Sequence, residues 1–457
     1  MLKLKDKMRW TYFSDMLEDE YSACRYEGKP VEKFEKKIGE ISKIENSKKR
    51  EEEAGRLLDQ MEKEAVKDTG SFQEPLKYEE IQEALPKKKK KQLQIDQSKI
   101  KDKLLGAWLG RITGCLLGIP VEGWTKERIR GFLSESGQYP LKTFMTADVK
   151  DEVKMKYKVE AADPETPYDR TVIYWKEYIE KYPVDDDMNY PVLALKIAER
   201  YGLEFDSQDV AEAWLLGIPG LHACTAERVA YKNLMSGILP PESGKYRNPY
   251  REWLGAQIRG DFWGYVFPGS PGQSAKRAYI DACVSHDKNG IYAEMLISAI
   301  CSLCYSKNLS MKEIVEEALL EIPKQCRLAA CVRTVLEEYE QGMSFQDVAD
   351  RIHNEYNEES FFDWCYVMPN MQLVIAAVLC FSESFTEAIT NIVMCGFDTD
   401  CNGATVGSIL GLYRGKDCID KKWYEDIKPV VCTSIHGYHE MSIEELVERT
   451  HRLIKYL

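Results

Sequence analysis

Leu104-Leu-Gly-Ala-Trp-Leu-Gly-Arg-Ile-Thr-Gly-Cys-Leu-Leu117 is an apolar stretch whose small residues and length read as a helix. The same texture returns at Tyr190 to Arg200, Ile291 to Tyr305, Met371 to Cys380 and Gly403 to Leu412, while strand alternation is scarce. The expectation is an all-α protein, a compact multi-helix core. Pro191 is expected in the first turn of its helix, where a missing N–H costs little. Residues 240 to 272 are irregular and rich in glycine and proline, yet carry Tyr246, Tyr250, Trp253, Phe262, Trp263 and Tyr265. A loop of that length with so many aromatics reads as functional rather than disordered.

Working outward, residues 1–98 form a charged helical extension and linker, and residues 99–457 the main domain. Phe34, Ile38 and Ile41 share one face of a helix. Lys48 to Glu53 reads as solvated, and Lys87 to Lys91 as a mobile, solvated linker.

The chain has 457 residues, 44% of them hydrophobic and 30% charged, within the range of soluble globular proteins. A net charge of -13 argues against nonspecific nucleic-acid binding, and no sequence-specific nucleic-acid binding is expected either. With no signal-peptide core and no long uninterrupted apolar run, no membrane span is expected. Fourteen scattered cysteines in a chain this large suggest reduced thiols and a cytoplasmic location.

Two acidic elements stand out. In Cys395-Gly-Phe-Asp-Thr-Asp-Cys-Asn-Gly403, Asp398 and Asp400 lie at i and i+2, which do not share a helix face, so they converge on one ion only from a loop or a helix start. Asp185-Asp186-Asp187 precedes another apolar helix, where capping and metal binding are equally open readings. All-oxygen ligands without an obligatory His or Cys point to Mg²⁺ or a similar ion rather than zinc. Gly114-Cys-Leu-Leu-Gly-Ile-Pro-Val-Glu-Gly123 ends on one acid, Glu122, in apolar surroundings suited to proton transfer.

Together with Gly255-Ala-Gln-Ile-Arg-Gly-Asp-Phe-Trp-Gly264 and Ala282-Cys-Val-Ser-His-Asp287, these segments stand in the order found in the ADP-ribosylglycohydrolase family, which includes the dinitrogenase reductase-activating glycohydrolases. The chain resembles that family over roughly residues 100 to 415. The resemblance implies an all-α fold with two Mg²⁺ ions at the bottom of a cleft, and hydrolysis of an N- or O-glycosidic bond at the anomeric carbon of ADP-ribose. It implies Asp186, Asp187, Asp398 and Asp400 as metal ligands, to which Asp185 adds an extra oxygen ligand of this chain's own, with Glu122 and Asp186 as catalytic residues. Gly255, Ala256, Arg259, Trp263 and His286 would bind substrate, an ADP-ribosylated protein, nucleobase or small molecule. The sequence departs from the family where Asp185 and Cys401 stand in place of threonines and Phe397 in place of a glycine. An N-glycosidase for another nucleoside or ribosylated metabolite, and a noncatalytic ADP-ribose-binding protein, are the alternatives.

Lesser signals have structural readings. Cys301-x-x-Cys304 reads as core packing, the His436 and His439 pair as a polar face, and Thr225 to Arg228 as part of a helix.

Overall fold

A computed structural model describes residues 4–67, 72–87, 90–159 and 174–454. The protein is all-α, 64% helical, with three short strands among the described residues. The expected apolar stretches lie in the helices Ile100–Gly118, Asp186–Tyr201, Lys288–Leu303, Val367–Cys380 and Thr399–Arg414. The strands Lys181–Tyr182, Lys428–Cys432 and Glu440–Ser442 form one small sheet in that order, parallel then antiparallel.

The centre of the fold is one helix pair. Gly106, Gly110, Gly114 and Gly118 make a stripe down the Ile100–Gly118 helix. A Cβ on Gly106 would lie 2.2 Å from the Gly411 carbonyl oxygen, on Gly110 2.1 Å from that of Gly407, and on Gly114 1.9 Å from that of Gly403. The facing residue number falls as the stripe rises, so the helices run antiparallel in backbone contact. Only glycine permits that approach. At the end of the stripe Gly118 meets Thr399 and Asp400, and the Thr399 hydroxyl donates to the Gly118 carbonyl at 2.9 Å. The antiparallel pairing thus sets the Glu122 end of one helix beside the start of the next. The segment Gln97–Val121 is long and apolar enough by composition to cross a membrane, but 89% of its most apolar window lies inside the protein.

The N-terminal region builds a small core of its own from Leu17, Cys24, Val31, Ile38, Ile41, Ala54, Leu57, Leu58 and Met61. Ile38 and Ile41 face inward as their spacing predicts. Docking onto the main domain is polar and aromatic. Arg251, 4% exposed, is bound by Glu20 at 2.7 Å and Glu27 at 2.6 Å, and the Tyr26 ring stacks on Tyr366 at 4.7 Å. The Lys48 to Glu53 segment is less solvated than its composition suggests, since Glu51 accepts the Phe13 amide at 2.7 Å. Part of the lysine run is likewise engaged, Lys90 with Glu321 and Lys91 with Glu313 at 2.9 Å, while Lys87 is exposed. Lys88 and Lys89 lie outside the described residues.

Pro191 sits deeper than expected. It is the sixth residue of the Asp186–Tyr201 helix, where a normal residue would donate to the Asp187 carbonyl four positions back. The Arg111 Nε donates to that carbonyl instead, at 2.7 Å. A guanidinium from the neighbouring helix therefore satisfies the acceptor that proline leaves open.

Candidate metal centre

Two helix starts bring the acids together. Asp185 is the N-cap of the Asp186–Tyr201 helix, and its carboxylate accepts the Asp187 amide at 2.8 Å, so capping is part of its role. Asp398 holds the N-cap position of the Thr399–Arg414 helix but makes no capping hydrogen bond, and Asp400 follows in the first turn. Asp185, Asp187, Asp398 and Asp400 are all buried, between 0% and 3% exposed, whereas Asp186 and Glu122 are half-buried.

Asp187 Oδ2, Asp398 Oδ1 and Asp400 Oδ1 have no hydrogen-bond partner among the described residues. Buried carboxylate oxygens are normally satisfied, because even a neutral buried polar group without a partner costs on the order of 2–7 kcal/mol and an isolated charge costs more. Ligand atoms of Asp187, Asp400 and Cys401 lie within 4.8 Å of one another, and so do those of Cys115, Asp185 and Asp187. Asp187 belongs to both groups. These residues fit a divalent cation: unpartnered hard oxygens from separate chain segments converge where the protein supplies too little positive charge of its own.

The electrostatics agree. Burial pushes Asp400 well above the usual carboxylate range, and the charges of Glu122, Asp398 and Asp185 add to it. Burial does the same for Asp187 against the pull of Arg111, with Asp185 and Asp398 reinforcing it. Glu122 therefore stands within electrostatic reach of the cluster. It caps the short turn Ile119–Val121 that follows the glycine stripe.

Several residues that position the site carry no clear sequence signal. Arg111, the one charged residue between Leu104 and Gly118, is 0% exposed and ties Asp187 to Asp261 at 2.8 Å and to the Ile258 carbonyl. Asn370 accepts the Asp398 amide at 3.3 Å and the Asn402 side chain at 2.7 Å. The Cys365 thiol donates to Asp398 Oδ2 at 3.2 Å. Phe397 holds φ +54°, left-handed backbone that favours the glycine it replaces. It is fixed there by Trp364, whose Nε1 donates to the Phe397 carbonyl at 2.8 Å, and by its ring against His353 at 4.9 Å.

The expected substrate segment is placed differently from the acids. Ala256, Arg259, Trp263 and His286 are buried, and Gly255 alone of the five is half-buried. Arg259 is occupied by Glu227 at 2.9 Å and Asp281 at 2.8 Å, with Glu294 at 3.4 Å. The Trp263 Nε1 donates to Asp281 at 3.0 Å, and His286 Nδ1 meets the Ser285 hydroxyl at 2.7 Å. Burial and the Arg259 charge hold His286 well below the usual imidazole range, so it is neutral. This polar cluster packs against the Asp186–Tyr201 helix, with the Arg259 guanidinium 5.5 Å from the Tyr190 ring centroid. Gly255 is pinned against Glu227, whose Oε1 a Cβ there would meet at 2.2 Å.

The lesser sequence signals resolve as structural ones, the cysteine pair in the core and the histidine pair on the surface. All fourteen cysteines are free thiols. Cys301 and Cys304 are fully buried, and His436 and His439 are exposed.

Among curated proteins none matches the chain. Among solved structures, one described as "ADP-ribosylglycohydrolase-related protein complex" is 18% identical, with a TM-score of 0.48, covering 78% of this chain and 100% of that one. The family model for ADP-ribosylglycohydrolase matches residues 96–455, the whole span that holds both acidic helix starts and the glycine-paired helices. This chain belongs to the ADP-ribosylglycohydrolase family.

Proposed function

We propose that the protein is a divalent-cation-dependent hydrolase that releases ADP-ribose from a modified side chain, nucleobase or small molecule by cleaving the glycosidic bond at its anomeric carbon. The family carries glycohydrolase activity on ADP-ribosyl-type substrates, which supports the reaction class. The observation that carries the reading is the set of buried, unpartnered oxygens on Asp187, Asp398 and Asp400.

Asp185, Asp186, Asp187, Asp398 and Asp400 would hold the cation, two ions if both ligand groups fill. When bound, such an ion supplies positive charge that orients ribose hydroxyls and acidifies a water. The chain's own residues supply the rest. Cleavage at an anomeric carbon builds oxocarbenium character, which a carboxylate placed beside that carbon stabilises. Glu122, half-buried, moves the proton to or from the leaving atom, and Asp186, half-buried at the first position of its helix, assists. Gly255, the half-buried end of the Gly255 to Arg259 segment, is where that segment would meet the substrate. Arg259, Trp263 and His286 act behind it, fixing its backbone through the Glu227 and Asp281 network. The reading includes a reducing, cytoplasmic compartment, supported by fourteen free thiols.

The test is release of free ADP-ribose from arginine-, serine- and nucleic-acid-linked substrates, with Mg²⁺, Mn²⁺ and Zn²⁺ each supplied. Absence of release from every substrate, together with no calorimetric binding of metal or ADP-ribose, would sink the proposal.

A further inference from the structure

The metal-ligand groups contain sulfur as well as oxygen. Cys115, from the glycine-striped helix, lies with Asp185 and Asp187, and Cys401, from the facing helix, lies with Asp187 and Asp400. In each group the ligand atoms are within 4.8 Å of one another. Two ligands bound to one ion at about 2.3 Å are at most about 4.6 Å apart, so groups bounded at 4.8 Å need only a small side-chain shift to close on an ion. The thiols come from different helices, and the glycine contacts that hold those helices together also hold the sulfurs in register with the acids. The oxygens they accompany include the unpartnered ones on Asp187 and Asp400. Cys401 is 7% exposed and Cys115 2%, which leaves them inside the protein with the carboxylates rather than on a surface where a thiol is incidental.

Ligand softness decides what such a set prefers. Mg²⁺ takes hard oxygens in a near-octahedral shell and binds thiolate poorly. First-row transition dications accept carboxylate and thiolate together. Resting on the metal-dependent reading above, we infer that this is a mixed oxygen–sulfur centre, in which the Cys115 and Cys401 thiolates join Asp185, Asp187 and Asp400 and select a dication of the Fe²⁺ to Zn²⁺ kind over Mg²⁺. Each coordinating thiol binds as thiolate, and its proton passes to solvent. The Cys365 thiol, which donates to Asp398, belongs to neither ligand group.

The experiment uses the full chain stripped by chelator and titrated with Co²⁺ as a spectroscopic probe, then with Zn²⁺ and Mg²⁺ in competition. The expected result is a near-ultraviolet thiolate-to-cobalt absorption band that survives in Cys365→Ser, weakens in Cys115→Ser and in Cys401→Ser, and is lost in the double variant. Zn²⁺ displaces Co²⁺ where equimolar Mg²⁺ does not, and Cys401→Thr lowers Zn²⁺ affinity by roughly tenfold or more. Circular dichroism checks that each variant is folded, and the wild-type band and competition need no variant. Co²⁺ bound without a sulfur band, or Mg²⁺ competing equally with Zn²⁺, overturns the inference and leaves the hydrolase proposal standing on an oxygen-only centre. Failure of every dication to bind overturns both.

Discussion

Arg111 holds Asp187 by both main chain and side chain: its Nε donates to the Asp187 carbonyl at 2.7 Å and its Nη2 to Asp187 Oδ1 at 2.9 Å. One guanidinium thereby satisfies the acceptor that Pro191 leaves open, fixes one oxygen of a candidate metal ligand, and leaves the other oxygen unpartnered. Arg111→Met strands the buried carboxylates of Asp187 and Asp261 and should lower stability by about 3–5 kcal/mol in urea denaturation. Pro191→Ala restores a helical donor to the Asp187 carbonyl. It should recover part of the loss in the double variant while changing the wild type less. Strict additivity of the two substitutions would contradict the shared-acceptor account.

The glycine stripe makes a prediction with opposite signs at two sites. Gly110→Ala drives a Cβ to 2.1 Å from the Gly407 carbonyl oxygen and should destabilise by roughly 1–3 kcal/mol or more. Gly39 lies in the helix Glu35–Ser42 with nothing within 4 Å of a built Cβ. Gly39→Ala should stabilise by roughly 0.5–1 kcal/mol, and thermal melts of both variants check the contrast.

Asp398→Asn tests the acids directly. Asp398 makes no cap bond and its Oδ1 has no partner, so the substitution removes a charge the apo fold does not need. Metal affinity and ADP-ribose release should fall together, while the melting temperature without metal holds or rises. A variant that keeps full turnover would remove Asp398 from the centre.

Docking of the N-terminal region should depend on pH through Asp19. Burial pushes this carboxyl up from 3.8 to about 7, against the Tyr250 hydroxyl that donates to it at 2.8 Å. Because the folded value is the higher one, the group's contribution to stability is fully present below about 4 and is lost as pH rises through about 7. Relative to Asp19→Asn, the wild type should therefore gain stability as pH is lowered from 8 to 4. Urea midpoints of the two proteins across that range give the comparison, and parallel curves would refute it.

Much of the architecture is legible in the chain. The helices over Ile100–Gly118, Asp186–Tyr201 and Thr399–Arg414 follow from apolar runs, and the Ile38 and Ile41 face follows from its spacing. The two acidic elements are visible because carboxylates beside apolar helices need a reason. Pro191 marks the limit of such reading: its place in the helix depends on where the helix starts, and its compensation comes from Arg111, 76 residues away from Asp187 in sequence.

The sequence by itself determined the all-α class, the family, and which acids stand at helix starts, since periodicity and motif order are local properties of the chain. Tertiary structure alone decided which of those acids cap and which keep a bare oxygen, that Arg259 spends its charge on Glu227 and Asp281, and that Cys115 and Cys401 stand with the carboxylates. Those outcomes depend on which distant groups share a buried volume, and a charge or a thiol acquires its role there from neighbours that the linear order does not name.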